Sequence, residues 1–243
     1  MALEYSPKLV TDGLILYLNS ADKLSYPGTG VTFTDLTGND NFILNNGITY
    51  STNNSGIIRL DGVDDFTRIN SANDEVSSSV LGFSMNLWIN AQTWTNMSCP
   101  CTGSMAIVDW STGYWNYFGI LSSGSPYWVI YNQDPNSAGN PPAGISLGFG
   151  TSALNTWLNL GCVFTNGYPT STMTTYLNGV QVNSGTLQNS FQITAPIEIG
   201  RYNRHCGYCY GQFMVGNFNV YNRPLTATEM LQNHKSQKSR FGL

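Results

Sequence analysis

The chain has 243 residues, of which 41% are hydrophobic and only 10% are charged, and its formal net charge is −4. Soluble proteins usually have about a quarter charged residues, so Asn, Ser, Thr, Gly and Gln must supply the polar surface, which suits an extracellular or particle-bound β protein. The acidic balance disfavours nucleic-acid binding, and no run approaches the roughly 18 apolar residues of a membrane span.

Short apolar segments recur along the chain, separated by Gly, Asn, Ser and Pro, which is typical of β-strands and turns. Asn178-Gly179 joins two of them and predicts a two-residue type I′ hairpin. So many short strands at near-regular spacing predict an all-β sandwich or barrel. In chain order the predicted strands are Gly13–Leu18, Gly56–Leu60, Phe66–Ile69, Phe83–Ile89, Ala106–Trp110, Tyr117–Leu121, Tyr127–Tyr131, Ile145–Phe149, Trp157–Thr165, Thr174–Leu177, Val180–Asn183, Ile197–Ile199 and Phe213–Tyr221.

One helix is predicted near the C-terminus. Thr226 and Glu229 have the spacing of a capping box, and Leu225 with Met230 can form the accompanying hydrophobic staple. The helix is expected to run to about Asn233. We therefore predict one domain with an N-terminal arm over residues 1–12, a sandwich over 13–224, and a short helix with a basic tail over 225–243.

Basic residues are concentrated at the end of the chain. Residues 201–243 contain six basic residues but only one acidic residue, Glu229. This asymmetry predicts a tail that docks on an acidic surface such as a neighbouring copy, or else a solvated face. The six are Arg201, Arg204, Arg223, Lys235, Lys238 and Arg240.

Five segments, taken in order, resemble motifs of concanavalin A-like (laminin G-like) domains. The resemblance spans most of the chain and implies a two-sheet antiparallel β-sandwich of the jelly-roll kind. This fold carries lectins, hydrolases and structural modules, so it does not by itself specify an activity. The segments are Leu60–Phe66, Phe83–Ile89, Tyr176–Val180, Ile197–Gly200 and Phe213–Leu225.

The two ends of the chain are similar to bacteriophage-encoded members of that family. The similar segments are 12–18, 25–28, 35–39 and 231–243. In those members the module occurs in virion structural proteins, including tail-associated and capsid-surface ones. The resemblance implies a capsid decoration or tail-associated subunit in contact with other virion proteins or with copies of itself. The alternative is a stand-alone lectin-like carbohydrate-binding module.

The start of the chain shows no secretory signal, since it lacks a basic region and a long apolar run. A surface-type composition without a signal is consistent with assembly in the host cytoplasm and release by lysis. We therefore expect the protein on the outer surface of a virus particle.

The carboxylates do not form the pattern of a glycoside hydrolase, which needs two of them across the scissile bond. Glu198 is alone on its strand, Glu229 belongs to the helix cap, and Asp64 and Asp65 would point to opposite faces of a strand. The chain also lacks a nucleophile-elbow motif. We predict that it is not an enzyme, and a secreted hydrolase is the least favoured hypothesis.

Four cysteines form two close pairs, Cys99 with Cys101 and Cys206 with Cys209. Four thiolates in two short-spaced pairs can hold a structural Zn²⁺ ion, and the same pairs can form disulfides on an exposed surface. Free thiols are the third alternative. Cys162 lies within a predicted strand and is expected to be an ordinary buried thiol.

A calcium site is a further possibility, because laminin G-like domains often hold Ca²⁺ with Asp and backbone oxygens at a sandwich rim. Asp61, Asp64 and Asp65 are the nearest matches, and turn formation is the competing explanation for them.

Glycan binding requires exposed aromatic side chains beside hydrogen-bonding amides. The same aromatic residues would also suit a contact with a neighbouring subunit. The candidates, which lie at predicted strand ends, are Trp110, Tyr114, Trp115, Asn116, Tyr127, Trp128 and Asn132.

Overall fold

The computed structural model describes residues 7–69, 82–95, 105–109, 116–132, 143–166, 170–188, 196–204 and 207–243. Within these residues two large antiparallel sheets, named sheet A and sheet B, pack face to face. The predicted two-sheet antiparallel sandwich with one short C-terminal helix is therefore confirmed.

Sheet A holds eight of the described strands, in the order β14-β13-β12-β7-β18-β5-β4, with β1 also pairing with β18. Its strands are β1 (Leu14–Asn19), β4 (Thr49–Ser51), β5 (Ile57–Asp61), β7 (Gly82–Ala91), β12 (Trp157–Thr165), β13 (Thr170–Leu177), β14 (Val180–Gln188) and β18 (Gln212–Tyr221).

Sheet B also holds eight of the described strands, in the order β11-β10-β9-β8-β15-β6-β3-β2. A separate two-stranded hairpin, β16 (Arg201–Arg204) with β17 (Gly207–Tyr210), follows β15. The strands of sheet B are β2 (Thr32–Phe33), β3 (Phe42–Asn45), β6 (Phe66–Ile69), β8 (Met105–Asp109), β9 (Asn116–Ser122), β10 (Pro126–Asn132), β11 (Ala143–Gly148) and β15 (Glu198–Ile199).

The main core lies between the two sheets and follows from the alternation of side chains along each strand. Phe83 of β7 stacks on Phe164 of β12, with ring centroids 5.5 Å apart, and meets the edge of the Trp128 ring from sheet B at 6.1 Å. Cys162 is buried in this core as a free thiol, as predicted. Burial raises the pKa of this thiol well above its ordinary value.

The predicted hairpin turn is confirmed. Asn178 and Gly179 join β13 to β14, and both have positive φ (52° and 78°), which a type I′ turn requires. Strands β2, β3, β4, β16 and β17 were not predicted from the sequence. Each of them is two to four residues long, so its polarity pattern is too short to show a period.

Helix α1 spans Ala227–Gln237, one turn further than predicted, and a 3₁₀ helix continues it over Lys238–Phe241. The capping box is confirmed: Thr226 Oγ1 accepts from the Glu229 amide at 3.2 Å, and the Glu229 carboxylate accepts from the Thr226 amide at 2.8 Å. Leu225 and Met230 are both buried in one apolar cluster, as a hydrophobic staple requires.

The basic C-terminal tail docks on its own domain. Arg223 binds Glu229 and Asp12, and Arg240 donates hydrogen bonds to backbone carbonyl oxygens of the sandwich. Three of the six basic residues, Arg201, Arg223 and Arg240, therefore have partners within the domain, and docking of the tail on a neighbouring copy stays a prediction. Among the described residues no helix is long and apolar enough to cross a membrane.

Candidate recognition surface and cation site

The hairpin β16–β17 packs flat against the outer face of sheet B. Tyr202 and Cys209 are cross-strand partners on its lower face, and both are fully buried. They pack on side chains that point outward from strands β8, β9 and β10, and this small cluster is separate from the main core. The hairpin is thereby held on a rigid support, and its other face points away from the sandwich. The side chains of sheet B in this contact are Ala106, Leu121, Tyr127 and Val129.

The outward face of the hairpin combines aromatic and charged side chains. Tyr208 is 48% exposed, and its ring centroid lies 6.3 Å from that of Tyr210. The Arg201 guanidinium lies between two rings, 3.4 Å from the Phe66 centroid and 4.8 Å from that of Tyr208. We call this patch the hairpin surface and define it by Phe66, Arg68, Glu198, Arg201, Tyr208 and Tyr210.

A carboxylate organises the charges of the hairpin surface. Arg201 binds Glu198 with two parallel hydrogen bonds, at 2.8 Å from Nε and 2.5 Å from Nη2, which is the strong bidentate geometry. Burial alone would lower the pKa of Arg201, but the hydrogen bonds that it donates to Glu198, together with the Glu198 charge, raise it above its ordinary value. Arg68 adds a longer contact to Glu198 at 3.5 Å, and its side chain is 49% exposed. Arg68 can therefore donate hydrogen bonds to a ligand.

Glu198 also has a second carboxylate opposite it, which the sequence did not reveal. Asp109 on β8 is its cross-strand partner, so the two side chains share the outer face of sheet B. Both side chains are largely buried. Both oxygens of Glu198 already accept from guanidinium groups, which leaves little room for a role in proton transfer to a substrate.

The structure separates the predicted aromatic candidates. Trp128 is fully buried and packs on Phe83 between the sheets, so its assignment to an exposed platform is wrong. Adjacent residues of a strand point to opposite faces, and Tyr127 accordingly lies on the outer face, half-buried beneath the hairpin.

The remaining candidates are described only in part. Asn116 and Asn132 are cross-strand partners on β9 and β10, although their side chains lie outside the described part of the chain. Trp110, Tyr114 and Trp115 lie outside the described residues, so their roles stay predictions. Tyr208, Tyr210 and Arg201 were missed, since nothing in their spacing showed that a hairpin would present them together.

One of the four paired cysteines is described. Cys209 is fully buried under the hairpin and is disulfide-bonded, which matches the disulfide alternative. Cys99, Cys101 and Cys206 lie outside the described residues. In this oxidised form Cys209 offers no thiolate to a zinc ion, so a four-cysteine zinc site stays a prediction for the reduced chain.

Three carboxylates meet at the turn between β5 and β6, next to Phe66 of the hairpin surface. Oxygen atoms of Asp61, Asp64 and Asp65 all lie within 4.8 Å of one another. Asp64 and Asp65 were expected to diverge as strand neighbours. They converge because the chain turns at Gly62, where φ is 80°.

Asp65 differs from the other two carboxylates because it is buried. Its Oδ2 accepts from the Asp61 amide at 3.0 Å, whereas its Oδ1 has no hydrogen-bond partner among the described residues. The pKa of Asp65 is raised to about 6, mainly by burial; the hydrogen bond from the Asp61 amide lowers it, and the charges of Asp61 and Asp64 contribute to the rise. Oxygen ligands of this kind suit Ca²⁺, so the predicted calcium site fits these residues.

A sequence profile described as the concanavalin A-like lectin/glucanases superfamily matches residues 61–230 of the chain. A comparison with curated protein sequences found no match.

Several solved structures share the fold. The receptor-binding domain of botulinum neurotoxin D is 17% identical with a TM-score of 0.66, over 93% of this chain and 53% of that one. The binding domain of Paraclostridial mosquitocidal protein 1 is 19% identical with a TM-score of 0.64, over 91% and 52%. A botulinum neurotoxin D ligand-binding domain in complex with N-acetylneuraminic acid is 16% identical with a TM-score of 0.63, over 93% and 51%. The chain thus spans about half the length of these structures.

Proposed function

The chain belongs to the concanavalin A-like lectin/glucanases superfamily, and from that premise we propose that it is a non-catalytic recognition module that binds surface glycans through the hairpin surface. The observation that carries this proposal is the exposed Tyr208 ring on a supported hairpin, with the Arg68 guanidinium nearby. A tyrosine ring offers a flat apolar face to a sugar ring, and guanidinium N–H groups donate to its hydroxyl or carboxylate oxygens.

Support for a glycan ligand also comes from one structural neighbour, whose ligand-binding domain was solved with N-acetylneuraminic acid. This chain covers about half of that neighbour, so the sugar is a guide to a ligand class and not to a position. Arg68 and Tyr208 are compatible with both neutral and acidic sugars.

The test is a glycan array probed with the purified wild-type protein and with Tyr208→Ala. We expect specific binding by the wild type and a loss of affinity of roughly tenfold or more in the variant, because an anchor aromatic contributes about 2 kcal/mol or more. Leu24→Ala is the matched control, since Leu24 is 80% exposed and lies outside the hairpin surface. Equal binding by wild type and Tyr208→Ala would refute the hairpin surface as the site.

Two further arms separate the alternatives for the site. Trp115→Ala tests the aromatic cluster predicted from the sequence, and a chelator arm tests whether a cation supports binding. If Trp115→Ala loses binding and Tyr208→Ala does not, the site lies at the predicted strand end instead. A folded wild type that binds no glycan would leave subunit contact as the role of these aromatic residues.

We further propose that a bacteriophage particle carries the module as a capsid decoration or tail-associated subunit. The support is the similarity of residues 12–18, 25–28, 35–39 and 231–243 to phage-encoded members of the family, together with the low content of charged residues. Mass spectrometry of purified particles tests this directly. Particles that contain the chain support the proposal, whereas glycan binding by a chain absent from particles would identify a stand-alone lectin-like protein.

A hydrolase is the second candidate, since Asp109 and Glu198 lie side by side on sheet B. We expect no turnover of β-glucans or other polysaccharides, because two arginines hold Glu198 and both carboxylates are largely buried. The measurement is reducing-sugar release by the wild type and by Glu198→Gln. Turnover by the wild type that Glu198→Gln abolishes would overturn the non-catalytic assignment.

A further inference from the structure

The last 19 residues form a cover over the outer face of sheet A. We call Leu225–Leu243 the C-terminal clasp. Its side chains fit positions where the sheet carries glycine: a Cβ added at Gly161 would lie 2.2 Å from Met230 Cε, and one added at Gly216 would lie 2.4 Å from Phe241 Cζ. Phe241 also stacks on Trp88 of β7 at 4.4 Å. The clasp is therefore docked by shape on one particular face.

The clasp is anchored at both ends by charged groups. Glu229 accepts from Arg223 and from the helix N-terminus, and its pKa falls to about 2, with the Arg223 hydrogen bonds as the main cause. Arg240 donates to the carbonyl oxygens of Asn54 at 2.7 Å and of Gly56. Burial lowers the pKa of Arg240 to about 10. Neither anchor changes its charge between pH 4 and pH 7.

His234 is the titratable group at the centre of the clasp. It is only 9% exposed, and its ring stacks on the Trp88 ring at 5.3 Å with an interplanar angle of 18°. Its Nδ1 atom is buried and has no hydrogen-bond partner among the described residues. A proton added there would bring a buried positive charge with no acceptor, which is costly.

The charged groups around His234 increase that cost. Lys235 lies on the same helix as His234, and Lys238 and Arg240 follow in the 3₁₀ helix. The sheet beneath presents Trp88, and the β13–β14 turn presents Gly179. None of the described carboxylates forms an ion pair with His234. The ring of Trp88 could favour a cation by about 1 kcal/mol, which is smaller than the cost of burying an unpaired charge.

The face beneath the clasp is polar as well as aromatic. The side-chain amide of Asn217 is fully buried, and neither its oxygen nor its nitrogen has a hydrogen-bond partner among the described residues. Trp88 Nε1 and Asn90 Oδ1 are also buried atoms that have no hydrogen-bond partner among the described residues. Water would hydrate these atoms if the clasp lifted, so opening recovers hydrogen bonds that the closed state lacks.

We propose that the C-terminal clasp is an acid-sensitive cover that opens on protonation of His234 and exposes the aromatic and amide face of sheet A around Trp88. This inference is independent of the hairpin surface on sheet B. The exposed face would present an indole ring beside amide groups, the side-chain types that a lectin uses.

The direction of the pH effect follows from linkage. Burial, reinforced by Lys238 and Lys235, lowers the pKa of His234 to about 4 in the closed state, against about 6.5 for a solvated histidine. Docking is therefore at full strength above pH 6.5 and weakens as pH falls toward 4. The open-to-closed ratio should rise roughly tenfold per pH unit in this range, or about 300-fold in all.

The experiment is hydrogen exchange measured by mass spectrometry on the full chain between pH 4 and pH 7.5, corrected for intrinsic exchange rates. In the wild type we expect protection of residues 227–243 to fall about tenfold per pH unit below 6.5, while β7 and β12 stay protected. His234→Phe, which can still stack on Trp88, should show constant protection. His205→Gln is the matched control for the other histidine and should behave as wild type.

Three results would overturn the proposal. The first is protection of the clasp that does not change with pH in the wild type. The second is a loss of protection at low pH in His234→Phe that equals the loss in the wild type. Simultaneous loss of protection in β7 and β12 would indicate global unfolding instead. If His234→Phe does not fold, an NMR titration of the His234 imidazole in the wild type decides the question. A pKa of His234 at or above the ordinary value of about 6.5 would refute the acid-sensitive clasp.

Discussion

Single residues at the rim of the sandwich show how close neighbours in the chain acquire different environments. Asp61 and Asp64 are exposed, whereas Asp65 is buried beside them with one oxygen unpartnered. At pH 7 the ionised Asp65 is therefore costly to bury, and a bound cation would offset that cost.

Asp65→Asn should raise the stability of the cation-free protein at pH 7. The folded-state pKa of Asp65 is about 6, above the unfolded value of about 3.9, so the wild type loses stability as pH rises from 4 to 6. The variant removes this loss, which is about 1–3 kcal/mol, or several degrees in Tm. Thermal unfolding in a chelator at pH 4 and pH 7 measures it.

Thermal unfolding of the wild type and of Asp65→Asn in the presence of Ca²⁺ tests the cation site. We expect added Ca²⁺ to raise the Tm of the wild type but not that of Asp65→Asn, because a cation that binds only the folded state stabilises it. Asp40→Asn is the control, since Asp40 lies outside the three-carboxylate cluster. If added Ca²⁺ does not change the Tm of the wild type, these residues serve only to form the turn.

At the scale of elements, the contact between α1 and sheet A depends on strand positions that carry no side chain. Gly161 on β12 leaves the space that Met230 fills, and Met230 is fully buried. A glycine normally weakens the strand in which it lies. Here the missing side chain of Gly161 lets Met230 of the helix pack closely against the sheet.

Gly161→Ala should destabilise the protein by about 1–3 kcal/mol, because the added methyl group forces Met230 out of its place. In the background of Met230→Ala the same change should cost much less, since the obstructing side chain is gone. Urea unfolding of the two single variants and the double variant gives the coupling energy. A coupling energy near zero would mean that Met230 moves aside freely.

At the scale of the whole molecule, two outer faces flank one shared core, and both are partly covered. The clasp covers sheet A, while the hairpin β16–β17 packs on sheet B and presents Tyr208 outward. Under the proposed function, stability and recognition depend on different aromatic residues, although these residues look alike in the sequence.

Trp128→Ala should cost about 3–5 kcal/mol of unfolding free energy, since the ring fills the core between the sheets. Tyr208→Ala should change stability by less than about 1 kcal/mol, because half of its surface is in water. Denaturant unfolding of both variants is the measurement. A Trp128→Ala variant as stable as wild type would contradict the placement of Trp128 between the sheets.

The sequence by itself determined the local features of this protein. The Asn178-Gly179 turn, the capping box at Thr226 and Glu229, and the long strands such as β7 and β12 were all predicted. Each depends on residues a few positions apart, whose backbone preferences and side-chain periodicity act over one turn or one strand. The strand spacing predicted a sandwich or a barrel, and the resemblance to concanavalin A-like domains implied the two-sheet antiparallel sandwich. Short strands such as β16 and β17 escaped because two to four residues show no period.

Only the tertiary structure decided which side chains meet. Asp109 lies beside Glu198, Arg201 lies over Phe66, and His234 lies over Trp88, across separations of dozens of residues or more. Such contacts depend on strand order and on which face each residue occupies, and a change of one position reverses the face. The sequence therefore pointed to Trp128 as a surface residue, whereas the fold places Tyr208 there.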